Sequence, residues 1–405
     1  MESPDESAVG SRRTVAGALS FHRLEVKSVE RIAEDAACLT LAIPASLRDE
    51  FKHDAGQYLT VRRVIDGREE RRTYSIVTAP GGSTLRLGVR AQFGGRMSRE
   101  LTGRVRPGDT LEVGRPLGRF RTAIDPGRTR SYVAFAAGSG ITPVLSLAID
   151  ILAREPHSRF TLIYGNRTMA RTMFLEDILA LKNRYMGRFS LYFVMSREPQ
   201  HTALLNGRID AAKVEALAGD IVEIASADEY FVCGPGGMVD EVRGAIKRLN
   251  GAAPVRFERF TTSSPASSPE RDIAQGREAR TADAPSGATR PQATRSSPGA
   301  PGSGPQAPVR EVLATISVLM DGRRRSFTMA AEDASVLEAG EHAGLELPFS
   351  CRSGICATCR AKIVGGAAVM AHNIALEPWE TAAGFVLCCQ ARPTTPTLEL
   401  SYDEK

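Results

Sequence analysis

Five of the seven cysteines in this 405-residue chain fall in its last 55 residues: Cys351, Cys356, Cys359, Cys388 and Cys389. Three of them form Cys351-x4-Cys356-x2-Cys359, and Cys389 follows after 29 intervening residues. Three thiolates on one loop with a fourth from a distant strand can hold a [2Fe–2S] cluster. Ser353, Gly354, Ala357 and Thr358 are small enough to let backbone amides approach and hydrogen-bond the sulfurs. A four-cysteine zinc site is the alternative, but structural zinc usually draws on two close cysteine pairs, which this spacing lacks. Cys388 and Cys389 are neighbours on a predicted strand over 385–391, so they face opposite ways and only one can ligate. The other is then a small buried hydrophobe.

Three further strings suit nucleotide cofactors. Arg72-Thr73-Tyr74-Ser75 ends a predicted strand, and Gly94-Gly95-Arg96-Met97-Ser98 follows it. A flavin needs a flat apolar surface, a small hydroxyl near N5 and donors for its pyrophosphate. Tyr74, Ser75, and Arg72 with the amides of residues 95–98 supply these in turn. Next, Gly138-Ser139-Gly140-Ile141-Thr142-Pro143 lies between a predicted strand and a predicted helix. Its glycines let a pyrophosphate approach the positive helix end, with Thr142 expected as N-cap and Pro143 at the first helical position. The sixth position departs from the Gly-x-Gly-x-x-Gly fingerprint. No acidic ribose-binding residue follows the second strand; Arg167 stands there, and Ser196-Arg197 follows the third. Arginines at those places suit a 2′-phosphate and so favour NADPH over NADH, whereas the bland reading is two surface arginines. Finally, Cys233-Gly234-Pro235 ends another strand at the sheet edge where α/β folds bind ligands; by itself it reads as a buried structural cysteine.

The elements that must position these residues fall into distinct patterns. Residues 20–125 alternate apolar and polar over short runs broken by Gly and Pro, which predicts an all-β barrel or sandwich. Residues 126–260 alternate strands near 132–136, 160–164, 189–195 and 230–233 with helices at 143–154, 172–184 and 237–250, a βαβ series with a parallel sheet. Residues 261–309 hold eight of the 23 prolines and predict a disordered linker, as residues 1–19 predict a disordered N-terminus. Residues 310–405 open with a hairpin about Asp321-Gly322, then a short helix near 335–343 and the cysteine loop.

Composition narrows the class of function. Hydrophobic residues at 42% and charged residues at 24% are those of a globular chain, and a net charge of +5 with a single Trp argues against a nucleic-acid binder. The near-uncharged run over 132–153 is broken by Gly138, Gly140 and Pro143 and reads as a buried strand and helix, so no membrane association is expected. The first residues have no apolar segment of a secretory signal, and clustered free cysteines suit a reducing, cytoplasmic compartment. Residues 1–260 carry 38 basic and 31 acidic side chains and residues 310–405 carry 9 and 12, so a basic body faces an acidic C-terminal module. That asymmetry suggests salt-sensitive docking of one on the other.

Taken in order, these motifs resemble the ferredoxin–NADP reductase superfamily fused to a C-terminal plant-type ferredoxin, over residues of about 20–260 and 310–405. The resemblance implies an FAD-binding barrel, an NAD(P)-binding α/β domain and a β-grasp [2Fe–2S] domain. It gives Arg72, Thr73, Tyr74, Ser75 and Val89 to FAD, with Gly95, Met97 and Ser98 on its pyrophosphate. It gives Gly138, Gly140, Thr142, Pro143, Gly234 and Pro235 to the dinucleotide, with Arg167, Ser196 and Arg197 near the 2′-phosphate. Ser75 and Cys233 become the residues at the flavin and the nicotinamide, and Cys389, before Gln390-Ala391, the fourth cluster ligand beside Cys351, Cys356 and Cys359. More finely, Tyr164-Gly165-Asn166-Arg167, Ser196-Arg197-Glu198, Asn206-Gly207-Arg208-Ile209-Asp210, Phe257-Glu258-Arg259-Phe260 and Asn373-Ile374-Ala375-Leu376-Glu377-Pro378 resemble the family of reductase components of ring-1,2-phenylacetyl-CoA epoxidases. The implied enzyme passes electrons from NADPH through FAD and the cluster to a separate oxygenase component. The rival readings are a reductase for a Rieske or steroid oxygenase using NADH, a free-standing flavin or ferric reductase, and a non-catalytic β-grasp protein around zinc.

Overall fold

A computed structural model describes residues 20–260 and 312–404. The expected N-terminal segment 1–19 and the expected linker 261–309 lie outside the described residues. The first domain is antiparallel: β1 (His22–Ala33), β2 (Ala36–Ala42), β3 (Tyr58–Ile65), β4 (Arg68–Ser75), β5 (Thr84–Arg90), helix α1 (Arg96–Gly103) and β6 (Thr110–Val113). Sheet order is β4-β3-β6-β1-β2-β5, and a bridge between Ile76 and Leu87 joins the two edges. The alternation read in the sequence is the inside and outside of this barrel: Leu24 and Val26 are buried while Arg23, Glu25 and Lys27 face solvent.

The second domain runs β7 (Ser131–Ala137), α2 (Ile141–Arg154), β8 (Arg159–Asn166), α3 (Leu175–Arg184), β9 (Phe189–Met195), α4 (Ala211–Asp220), α5 (Val222–Ser226), β10 (Glu229–Pro235), α6 (Gly236–Leu249) and β11 (Val255–Phe260). Its parallel sheet has the order β11-β10-β7-β8-β9, so the chain reverses direction across the sheet between β7 and β10. Tyr132 to Ala136 are all fully buried because helices cover both faces, which accounts for the uncharged run. Among the described residues no helix is long and apolar enough to cross a membrane. Two helix starts differ from expectation. A 3-10 turn over Gly138–Gly140 runs straight into α2, so Gly140 is the N-cap, and the Thr142 hydroxyl donates to the Ser139 carbonyl instead of capping an amide. Likewise α3 begins at Leu175, after a left-handed Phe174, because residues 169–171 form their own 3-10 turn.

The third domain is β12 (Val312–Met320), β13 (Arg323–Ala330), α7 (Val336–His342), β14 (Arg360–Gly365), β15 (Ala368–Met370), α8 (Pro378–Ala382), β16 (Phe385–Leu387), β17 (Ala391–Pro393) and β18 (Thr397–Ser401). The mixed sheet β13-β12-β18-β14-β16 wraps α7, a β-grasp, with β15 and β17 paired beside it. Asp321 and Gly322 both take positive φ, as a two-residue hairpin turn demands. The predicted strand over 385–391 is split: Cys388, Cys389 and Gln390 form a turn between β16 and β17, closed by the Gln390 amide on the Leu387 carbonyl.

Candidate flavin, nucleotide and iron–sulfur sites

The cysteine loop is built to aim amides inward. Arg352, Gly354 and Ala357 take positive φ, and the loop thereby wraps its N–H groups around the sulfurs. The amides of Ser353, Ile355 and Cys356 each lie 3.4 Å from Cys351 Sγ, and the Cys351 amide lies 3.4 Å from Cys356 Sγ. A Cβ on Gly354 would come within 2.9 Å of the His372 carbonyl, so that position admits only glycine. The thiols gather as two hydrogen-bonded pairs, Cys351 with Cys356 and Cys359 with Cys389. The bond from Cys356 and the loop amides lower the Cys351 pKa, and the bond from Cys359 lowers that of Cys389. Two pairs of thiols fit a binuclear cluster held by four thiolates. Cys388 faces the other way, fully buried in the β-grasp core, and burial pushes its thiol up to about 12.

The flavin strings meet on the barrel. Glu70 pairs with Arg72 at 3.0 Å and with Arg96 at 3.2 Å, which ties the end of β4 to the start of α1. Helix α1 begins after Gly95 with no side-chain cap, which leaves its first amides free for an anion to bind. Ser98 Oγ accepts from the Gln92 amide and closes the loop before it. Ser75 is buried at the end of β4. These features fit a flavin and its pyrophosphate. Tyr74 packs partly against the barrel core, while Thr73 is half-buried and pairs across the sheet with Thr60. The side chains of Val89 and Met97 lie inside the barrel core, which leaves their backbone groups as what each could offer a cofactor.

The nucleotide strings all lie along the carboxyl edge of the parallel sheet. Gly138 and Gly140 follow β7, Cys233 and Gly234 end β10, and Arg167 and Arg197 follow β8 and β9. The crevice between β7 and β10 is the switch point of the sheet, where such folds bind ligands. A Cβ on Gly140 would sit 2.1 Å from the Cys233 carbonyl oxygen, so packing of the two loops alone requires this glycine. Thr142 and Pro143 are buried within the first turn of α2, and Pro235 precedes α6. The Arg197 amide donates to the Arg167 carbonyl at 2.9 Å, extending the ladder past the strands and bringing the two residues together. Arg197 is the chief reason the Arg167 pKa is lowered. Asp35 pairs with Arg90 and Arg171, while Arg167 and Arg197 have no carboxylate partner among the described residues. Ser196 Oγ donates to the Asn166 carbonyl beside them.

Several residues of this region carried no role in the sequence reading. Tyr58 lies directly opposite Ser75 in the β3–β4 ladder, on the same face, and its hydroxyl reaches Thr358 and Cys356 of the cluster loop. Glu258, the register partner of Cys233, has an Oε2 shielded from solvent with no hydrogen-bond partner, and burial raises its pKa to about 7. Its string Phe257-Glu258-Arg259-Phe260 was the only signal. Cys233 itself is fully buried, and its thiol is pushed well up.

Three family descriptions match in order: "Oxidoreductase FAD-binding domain" over 23–122, "Oxidoreductase NAD-binding domain" over 135–244 and "2Fe-2S iron-sulfur cluster binding domain" over 318–394. The chain is 36% identical, over 95% of its length and 99% of the relative's, to a component of the 1,2-phenylacetyl-CoA epoxidase of Escherichia coli strain K12. The chain belongs to the ferredoxin reductase family with a C-terminal [2Fe–2S] domain. This ferredoxin reductase is thus an oxidoreductase of FAD, NAD(P)H and a [2Fe–2S] cluster. It is also 26% identical to the "3-ketosteroid-9-alpha-monooxygenase, ferredoxin reductase component" of Rhodococcus rhodochrous, over 94% of this chain and 96% of that one. Its fold is similar to that of phthalate dioxygenase reductase, with a TM-score of 0.53 and 22% identity over 94% of this chain and 98% of the other.

Proposed function

We propose that the reductase takes electrons from NADPH and delivers them to the oxygenase component of a 1,2-phenylacetyl-CoA epoxidase-type system. When bound, FAD and the [2Fe–2S] cluster supply the conversion of a two-electron donation into single-electron deliveries. The observation that carries this reading is the Tyr58 contact: one barrel face holds Ser75 at the flavin strand and touches the cluster loop. In this reading residues 20–125 orient FAD, with Ser75 at its reactive edge and Arg72, Gly95, Met97 and Ser98 around its pyrophosphate. Residues 126–260 bring in the nucleotide, with Gly138 to Pro143, Gly234 and Pro235 along it and buried Cys233 shaping the nicotinamide side. Arg167, Ser196 and Arg197 hold the 2′-phosphate, because two adjacent guanidinium groups without carboxylates attract a dianion. Residues 310–405 hold the cluster on Cys351, Cys356, Cys359 and Cys389. Thiolate ligands of this kind persist in a reducing cytoplasm.

The 36% identity to the epoxidase component, against 26% to the 3-ketosteroid component at similar coverage, supports this acceptor over that one. The test is reconstitution with purified phenylacetyl-CoA epoxidase oxygenase components, following NADPH oxidation and epoxide formation. Substrate-dependent oxidation coupled to product is expected. Product formation with a 3-ketosteroid oxygenase and none with the epoxidase would overturn the choice of partner.

A further inference from the structure

Each of the apolar cores of this protein is confined to the reductase body or to the ferredoxin domain, and none spans the boundary between them. The boundary is instead polar. Besides Tyr58, its contacts include the Arg71 guanidinium over the Phe349 ring at 4.2 Å and Arg259 donating to the Ile374 carbonyl at 2.8 Å. Among the described residues two ion pairs join it, and both come from one short helix and its cap. Glu377, just before α8, pairs at 3.2 Å with Arg243 of α6 in the NAD-binding domain. Glu380, in the first turn of α8, pairs with Arg119 beyond the last barrel strand and, at 2.9 Å, with Arg360 of its own domain.

The two glutamates are tied together through the backbone of one and the carboxylate of the other. Glu380 Oε2 accepts the Glu377 amide at 3.0 Å, the reciprocal bond of a capping box. Glu380 is 1% exposed yet remains ionised between its two arginines, so removing Arg119 leaves it with only one cation. Arg119 and Arg243 are accessible enough to release without unfolding either partner, with side-chain exposures of 48% and 31%.

We propose that α8 is the clamp that positions the ferredoxin domain for internal electron transfer, Glu380 gripping the FAD-binding domain through Arg119 and Glu377 gripping the NAD-binding domain through Arg243. The inference rests on the flow from flavin to cluster proposed above. Both grips are ionic, so they fix register as a charged interface does, and the more open Glu377–Arg243 pair weakens more with salt than the buried Glu380 pair. An apolar interface would hold the domain without that sensitivity.

The test uses the full-length holoprotein and cytochrome c, in which one NADPH yields NADP⁺, H⁺ and two ferrocytochrome c. Ferricyanide reduction reports the flavin alone, and Cys389→Ser sets the cluster-free baseline. Arg119→Glu and Arg243→Glu should each lower cytochrome c reduction about tenfold at low salt and leave ferricyanide reduction within about twofold. The charge swap Arg243→Glu/Glu377→Arg should return to within about twofold of the parent. Unchanged cytochrome c rates in both single variants, or no recovery in the swap, would overturn the clamp. A parent rate no higher than that of Cys389→Ser would instead overturn the flavin-to-cluster reading.

Discussion

Tyr58 Oη lies 3.1 Å from Thr358 Oγ1 and 3.2 Å from the Cys356 carbonyl oxygen, a contact between residues 300 positions apart. Tyr58 is itself fixed: its amide and carbonyl pair with Leu117, and its ring packs beside Gly118, where a Cβ would approach within 3.1 Å. One rigid side chain therefore links β3, the strand paired with that of Ser75, to the loop that carries Cys351, Cys356 and Cys359. Tyr58→Phe removes neutral hydrogen bonds worth about 1 kcal/mol each while preserving the ring. Cytochrome c reduction should fall several-fold and ferricyanide reduction less. Equal effects on the two acceptors, measured under steady state, would deny Tyr58 a role at the junction.

The two adjacent cysteines should separate cleanly. Cys389→Ser is expected to abolish the visible absorption of the cluster and cytochrome c reduction, with ferricyanide reduction retained. Cys388→Ala should keep the cluster and cost about 1–2 kcal/mol of stability, as a small loss from a packed core does. Iron and sulfide content of the two purified variants decides, and an intact cluster in Cys389→Ser would move the ligand to Cys388.

Arg197→Ala should raise the KM for NADPH at least about tenfold and that for NADH little, because a charge-assisted pair with a phosphate is lost only from the former. Arg167→Ala should act in the same direction. Parallel rises for both nucleotides in steady-state assays would remove the 2′-phosphate from these arginines.

Glu258 predicts a pH dependence of stability. Its carboxyl is raised to about 7 by burial, with no cation among the causes. Between the ordinary carboxylate range and about pH 7 the folded chain keeps a proton that the unfolded chain has lost. Rising pH therefore removes stability across that window and none above it. At ~1.4 kcal/mol per pKa unit the loss is at most about 3.5 kcal/mol. Glu258→Gln should flatten the profile, raising the melting temperature at pH 8 more than at pH 5.5. A parallel shift at both pH values in thermal unfolding would show that the carboxyl does not titrate there.

The chemistry of this protein was legible in local patterns. The x4-x2 cysteine spacing, the Arg-Thr-Tyr-Ser string and the glycines after β7 each act within a few residues. Backbone geometry over such a span is set by the residues themselves: only glycine fits beside the Cys233 carbonyl or the His372 carbonyl. Alternation in the barrel and buried runs in the parallel sheet likewise gave the two body domains, although Thr142 did not take the N-cap place expected of it.

What only the tertiary structure decided depends on contacts between distant segments. The sorting of four thiols into two pairs needs the turn at Cys389 to meet the loop at Cys359, and the burial of Cys388 needs the whole β-grasp core around it. The bonds from Tyr58 to Thr358, Glu380 to Arg119 and Glu377 to Arg243 join residues of different domains. No periodicity records such pairs, because an exposed arginine and a helix-capping glutamate look the same in sequence whether they face water or each other. Folding of the separate domains follows from local burial; their register on one another follows from a few charges brought together in space.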